Sequence, residues 1–126
     1  MAKILIVDDS AFMRGSLKYI VENDGHLVVG MASNGEEAIE RYKELKPDIV
    51  TLDILMQGMD GIQALKGLME YDKRASVIMV TSLTQKEVER QVQELGVSGF
   101  IKKPFNPQEI TDEIRRVLVG KHPERA

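Results

Sequence analysis

The stretch DIVTLDILMQGMDG (48–61) decides how the chain is read. Its first half holds Ile49, Val50, Thr51 and Leu52, a β-branched apolar run. Its second half, with Gly58, Asp60 and Gly61, has the composition of a loop. A near-continuous apolar run without alternation marks a strand buried on both faces. Between run and loop stands Asp53, followed by Ile54, Leu55 and Met56, with no Lys or Arg in the ten residues after it. A carboxylate at such a strand exit is either a surface acid or a reactive group, and the flanking sequence discriminates between the two.

Four further runs share the pattern: ILIV (4–7), LVVGMA (27–32), SVIMVTS (76–82) and SGFI (98–101). Helical periodicity fills the intervals. Met13, Leu17, Ile20 and Val21 share one face, as do Ala38, Tyr42 and Leu45. Ile62, Leu65, Leu68 and Met69 follow, then Val88, Val92 and Leu95, then Ile110, Ile114, Val117 and Leu118. Capping signals agree: Asn34 with Glu37, Thr84 with Glu87, Asn106 before Pro107, and Gly96 after Leu95. Strand and helix alternate five times, which right-handed crossovers turn into a doubly wound α/β fold with a five-stranded parallel sheet.

With 126 residues the chain suits one domain, expected over residues 1–120 with a polar tail at 121–126. The formal net charge of −3 argues against non-specific nucleic-acid binding, which needs a basic surface. No cysteine is present, which excludes disulfides, thiolate metal sites and Cys nucleophiles. The apolar run at 4–7 is too short for a signal-peptide core, and no run has the length of a membrane span, so a cytoplasmic location away from membranes is expected.

In open parallel sheets, ligands bind beyond the carboxyl ends of the strands, where the strand order reverses. Four strands deliver polar groups there: Asp8 and Asp9, then Asp53, then Thr81 and Ser82, then Lys102 and Lys103. An order 2-1-3-4-5 sends the second strand, which ends in Ala32, Ser33 and Asn34, to an edge. Three converging carboxylates repel unless a cation joins them, and oxygen-only donors favour Mg²⁺. A hydroxyl and an ammonium complete the parts of a phosphoryl site in which Asp53 is the nucleophile. Taken singly, each residue reads as an ordinary surface or turn residue; their joint placement on four strand ends favours the phosphoryl reading.

ILIVDDSAFMR, DIVTLDILMQGMDG, VIMVTS and GFIKKPF together resemble the receiver domain of two-component response regulators, over residues 3–119. DDSAFMR is similar to the single-domain chemotaxis type, with its flavodoxin-like, CheY-like fold. The resemblance implies that Asp53 is the phosphoacceptor and that Asp8, Asp9, Asp53 and the backbone carbonyl of Leu55 hold Mg²⁺, for which Mn²⁺ can substitute. Thr81 and Lys103 act on the phosphoryl group, Thr81 and Phe100 form the switch, and the Lys103–Pro104 bond is cis. The implied donor is a CheA-like histidine kinase. The implied reader is an output protein, such as a flagellar motor switch or a phosphatase, docking on the fourth helix, fifth strand and fifth helix. The implied protein is a monomer and not an enzyme: a phosphoacceptor signalling protein with autophosphorylation and autodephosphorylation activity. A stand-alone phosphorelay protein and the receiver of a transcriptional regulator remain alternatives.

Departures from the pattern are Gln57 where the family usually has Pro, and apolar Leu55 and Leu83 where it often has polar side chains. Two other function classes fit less well. A phosphatase of the haloacid dehalogenase type needs an acid two residues after the nucleophile, where Leu55 stands. A flavodoxin-type electron carrier needs a phosphate-cradling loop after the first strand, where DDSAFMR is acidic.

Overall fold

The computed structural model describes residues 1–83 and 85–120. The elements alternate as expected: β1 (Lys3–Val7), α1 (Ala11–Asn23), β2 (Leu27–Ala32), α2 (Gly35–Leu45), β3 (Ile49–Leu52), α3 (Gly61–Tyr71), β4 (Val77–Thr81), α4 (Lys86–Glu94), β5 (Gly99–Lys102) and α5 (Pro107–Gly120). All neighbouring strands are parallel, in the order β2-β1-β3-β4-β5. The tail at 121–126, and His122 within it, lies outside the described residues.

The unbroken apolar runs follow from two cores. Leu5, Val7, Val50, Leu52, Val77 and Met79 face one way, onto Ala38, Tyr42, Leu65, Leu68 and Val92 of α2, α3 and α4. Ile4, Ile6, Ile49, Ile78, Val80 and Ile101 face the other way, onto Leu17 and Val21 of α1 and Ile110, Ile114 and Val117 of α5. Each strand residue therefore meets a helix on whichever side it points, and alternation disappears. The edge strand β2 departs from this, leaving Leu27 and Met31 exposed.

Helix ends are chemically specified. Asn34 accepts the Glu37 N–H, but the Glu37 carboxylate reaches past Asn34 to the N–H and hydroxyl of Ser33. Asn106 and Glu109 exchange both bonds of a capping box, and so do Asp60 and Gln63, a pair the sequence reading passed over. The Thr84–Glu87 box expected for α4 falls on Thr84, outside the described residues, and α4 instead starts after Gln85, which makes no side-chain cap bond. Gly96 holds φ +96° just past α4, a conformation that favours glycine.

The Thr51 hydroxyl is buried in β3 without a hydrogen-bond partner among the described residues. Its neighbours in register are Ile6 and Ile78. An orphaned buried hydroxyl is costly, and valine has nearly the same shape. Thr51→Val is expected to raise stability by about 1 kcal/mol, read as a higher urea midpoint at unchanged slope. A lower midpoint would show that the hydroxyl is satisfied.

Candidate functional site

Beyond their last assigned residues, three strands continue in sheet register for one more hydrogen bond. Asp8 N–H donates to Ala32, Asp53 N–H to Val7, and Lys103 N–H to Thr81. Asp8, Asp53 and Lys103 are thus presented by the sheet itself, which is more rigid than a loop. In strand alternation they continue the series Ile4–Ile6, Ile49–Thr51 and Ile101 that faces α1 and α5. Thr81 continues Val77 and Met79, and so is in phase with Phe100 on the face toward α3 and α4.

A shared local device turns the chain at the strand exits. Asp8 Oδ1 accepts the Ser10 N–H at 2.9 Å, Asp53 Oδ1 the Leu55 N–H at 3.2 Å, and Thr81 Oγ1 the Leu83 N–H at 3.3 Å. Each side chain bonds the backbone two residues on, as Asp and Thr do readily at turns. One oxygen of each Asp is thereby fixed, and the other is free for the centre of the site. Ser10 also caps α1 through Met13 N–H, and Arg14 from the first turns of α1 donates to the Asp8 carbonyl at 2.7 Å. Neither role of Ser10 nor that of Arg14 was assigned from sequence; the Asp-x-Ser spacing is the signal for the first.

The remaining oxygens converge. Lys103 Nζ donates to Asp8 Oδ2 at 2.8 Å and to Asp53 Oδ2 at 3.0 Å. Asp8 is 1% and Asp53 5% exposed, whereas Asp9 is open to solvent. Burial alone would push the Lys103 ammonium down, but its hydrogen bonds to Asp8 and Asp53 outweigh this and hold it above the ordinary lysine range. Asp8, Asp9 and Asp53 each offer a carboxylate oxygen within 4.8 Å of the others. Three carboxylates against one ammonium leave two formal negative charges, and every donor is oxygen. That donor set fits a hard divalent cation of the Mg²⁺ type.

The other expected residues are placed around this centre. The Leu55 backbone stands in the turn closed by Asp53, and the residue is 49% exposed. The Thr81 hydroxyl is buried and engaged by Leu83 rather than by the acids. Phe100 is half-buried against the α2–α4 core, and the Lys103–Pro104 bond is cis. Lys102, the neighbouring candidate, points to solvent.

Fold and site together define a doubly wound α/β protein with a cluster of carboxylates, suited to a cation, at its topological switch point. The model of the response regulator receiver domain matches residues 4–115, and the chain belongs to that family. It is 45% identical to the chemotaxis protein CheY of Thermotoga maritima, over 91% of this chain and 96% of that one. It is 43% identical to CheY of Bacillus subtilis, over 92% of this chain and 97% of that one. Among solved structures it is similar to the CheX–CheY–BeF3–Mg²⁺ complex of Borrelia burgdorferi, with a TM-score of 0.90, 38% identity, and coverage of 92% of this chain and 88% of that one. No helix among the described residues is long and apolar enough to cross a membrane.

Proposed function

We propose that residues 1–120 form a receiver that accepts a phosphoryl group on Asp53 and relays it as a conformational change, in chemotactic control of a flagellar motor. The observation that carries this is the ammonium of Lys103 bridging Asp8 and Asp53, two nearly buried acids, beside the third acid Asp9. Similarity to CheY proteins along nearly their whole length supports the chemotactic setting, with a CheA-like histidine kinase as donor in the cytoplasm.

In the proposed step, the Asp53 Oδ2 atom attacks the phosphorus of a phosphohistidine. The O–P bond forms as the N–P bond breaks, and the imidazole leaves with the electron pair. Lys103 is already at hydrogen-bonding distance of that oxygen, so its charge is in place for the phosphoryl oxygens without reorganisation. Mg²⁺ held by Asp8, Asp9, Asp53 and the Leu55 carbonyl would supply further neutralisation of the phosphoryl charge. Thr81 exchanges its Leu83 bond for one donated to the phosphoryl group, and Phe100, in phase with it on the next strand, follows. The new population alters the α4–β5–α5 surface that an output protein reads.

Incubation with Mg²⁺ and acetyl phosphate is expected to yield one acid-stable, base-labile adduct by intact mass, absent from Asp53→Asn. A full-stoichiometry adduct on Asp53→Asn would remove the assignment. Water must reach the phosphorus to end the signal, and Leu55 and Leu83 offer it no polar partner at the two turns. Leu55→Asn with Leu83→Glu is therefore expected to shorten the adduct's lifetime about tenfold, a barrier change of about 1.4 kcal/mol. Equal decay rates in wild type and variant would dismiss this role.

A further inference from the structure

Strand β5 is one edge of the sheet, paired only with β4. On its outer side, Glu113 of α5 accepts the Phe100 N–H at 3.0 Å. Arg116, one turn on, grips the same carboxylate with a fork: Nε to Oε1 at 2.8 Å and a terminal nitrogen to Oε2 at 3.1 Å. That terminal nitrogen also donates to the Ser98 carbonyl at 2.7 Å. The two residues flanking Gly99 are thus tied to one α5 ion pair. Gly99 makes this possible, because a Cβ there would lie 2.6 Å from Glu113 Oε2 and 3.1 Å from its Cδ. The Arg116 guanidinium holds the Glu113 carboxyl below the usual carboxylate range, so the acceptor is charged at neutral pH. Planar fork, charged acceptor and a glycine cut to fit form one constellation.

An exposed ion pair contributes little to stability, and the Arg116 side chain is 60% exposed. What this pair does better is set position. Phe100 and Lys103 share one short chain segment, and Lys103 is bonded to the phosphoacceptor. We infer that Glu113, locked by Arg116, is a positioning residue that carries movement of the Phe100 backbone into α5, so that the state of Asp53 is read on that helix. The inference rests on the receiver reading and adds to it the physical link between switch strand and output helix. Without the link, a shift of β5 is absorbed at its free edge and α5 keeps one arrangement.

The test uses the whole chain labelled with ¹⁵N, with Mg²⁺ and acetyl phosphate as donor, acetate leaving as the O–P bond to Asp53 forms. Intact mass gives the adduct and amide shifts give the response. In wild type, adduct formation is expected to move amides around Lys103 and along residues 108–118. In Arg116→Met, Glu113→Ala and Gly99→Ala, the adduct and the shifts around Asp53 persist, while the α5 response shrinks by about twofold or more. Glu113→Gln, which keeps a carbonyl acceptor, retains most of it. Arg116→Met alters an exposed side chain, so it answers the question even where a glycine or glutamate variant fails to fold. An α5 response of wild-type size in Arg116→Met and in whichever of the other two variants folds would overturn the link, as would a wild-type adduct that leaves α5 unmoved. A wild type that forms no adduct defeats the receiver reading and the inference together.

Discussion

Lys103→Met is expected to destabilise the divalent-free chain by about 3 kcal/mol at neutral pH, the size of breaking a buried ion pair by removing one partner. The reason lies in what remains. Asp8 and Asp53 are 1% and 5% exposed, and each loses its only ion-pair partner among the described residues. Methionine fills the volume of the lysine stem and leaves the two carboxylates facing one another, with Asp9 adding its charge. The lower end of the range applies because Asp9 and the site mouth are open to water. Adding Mg²⁺ should restore much of the loss, since an ion that binds only the folded state stabilises it by mass action. The stabilising increment from Mg²⁺ is therefore larger in the variant than in wild type. Urea unfolding of both proteins, with and without Mg²⁺, measures all four quantities. Equal stability of the two proteins without divalent ions would mean that the lysine does not neutralise the acids.

The pairing of Lys103 with residues 95 and 50 positions away shows how far the sequence could be read. The strands were legible because both faces of the sheet are covered, so burial wrote itself into unbroken apolar runs. Strand exits were legible because Asp and Thr there are anomalous after such runs. The pattern of the run did not separate Lys103 from Lys102, since both faces of the sheet are covered; only the folded chain brings Lys103 to the acids and leaves Lys102 exposed. What stayed hidden depends on distance in sequence or on competition among local bonds. The run LVVGMA looks as buried as the others, and although the expected strand order put β2 at an edge, its composition does not record that Leu27 and Met31 stay exposed there. Glu37 bonds Ser33 rather than Asn34, a choice between two adjacent donors. Glu113 and Arg116 drew no assignment from sequence, because their grip on Phe100 and Ser98 exists only once α5 lies along β5.

Gly61→Ala tests a contact of this hidden kind and is expected to cost about 3 kcal/mol, at the upper end of overpacking. Gly61 opens α3, and its N–H donates to the Ile54 carbonyl at 2.9 Å. A Cβ on Gly61 would run into the carbonyl group of Asp53 and the Cα of Ile54. All of these are backbone atoms, so no rotamer change relieves the clash. Either α3 lifts at its first turn, against the capping box of Asp60 and Gln63, or the backbone of Asp53 and Ile54 shifts. Both responses reach the site, because Asp53 is placed by its own N–H bond to Val7. The variant is therefore expected to bind Mg²⁺ at least about tenfold more weakly as well, since displacements near 1 Å are costly to an oriented site. Gly67→Ala supplies the comparison within the same helix. Its Cβ would meet Ile39 Cδ1, the end of a flexible side chain, while alanine favours the helix by up to about 1 kcal/mol. Near-neutral stability and unchanged Mg²⁺ affinity are expected there. If both alanines behave alike, the packing of α3 on the Asp53 carbonyl does not position the site.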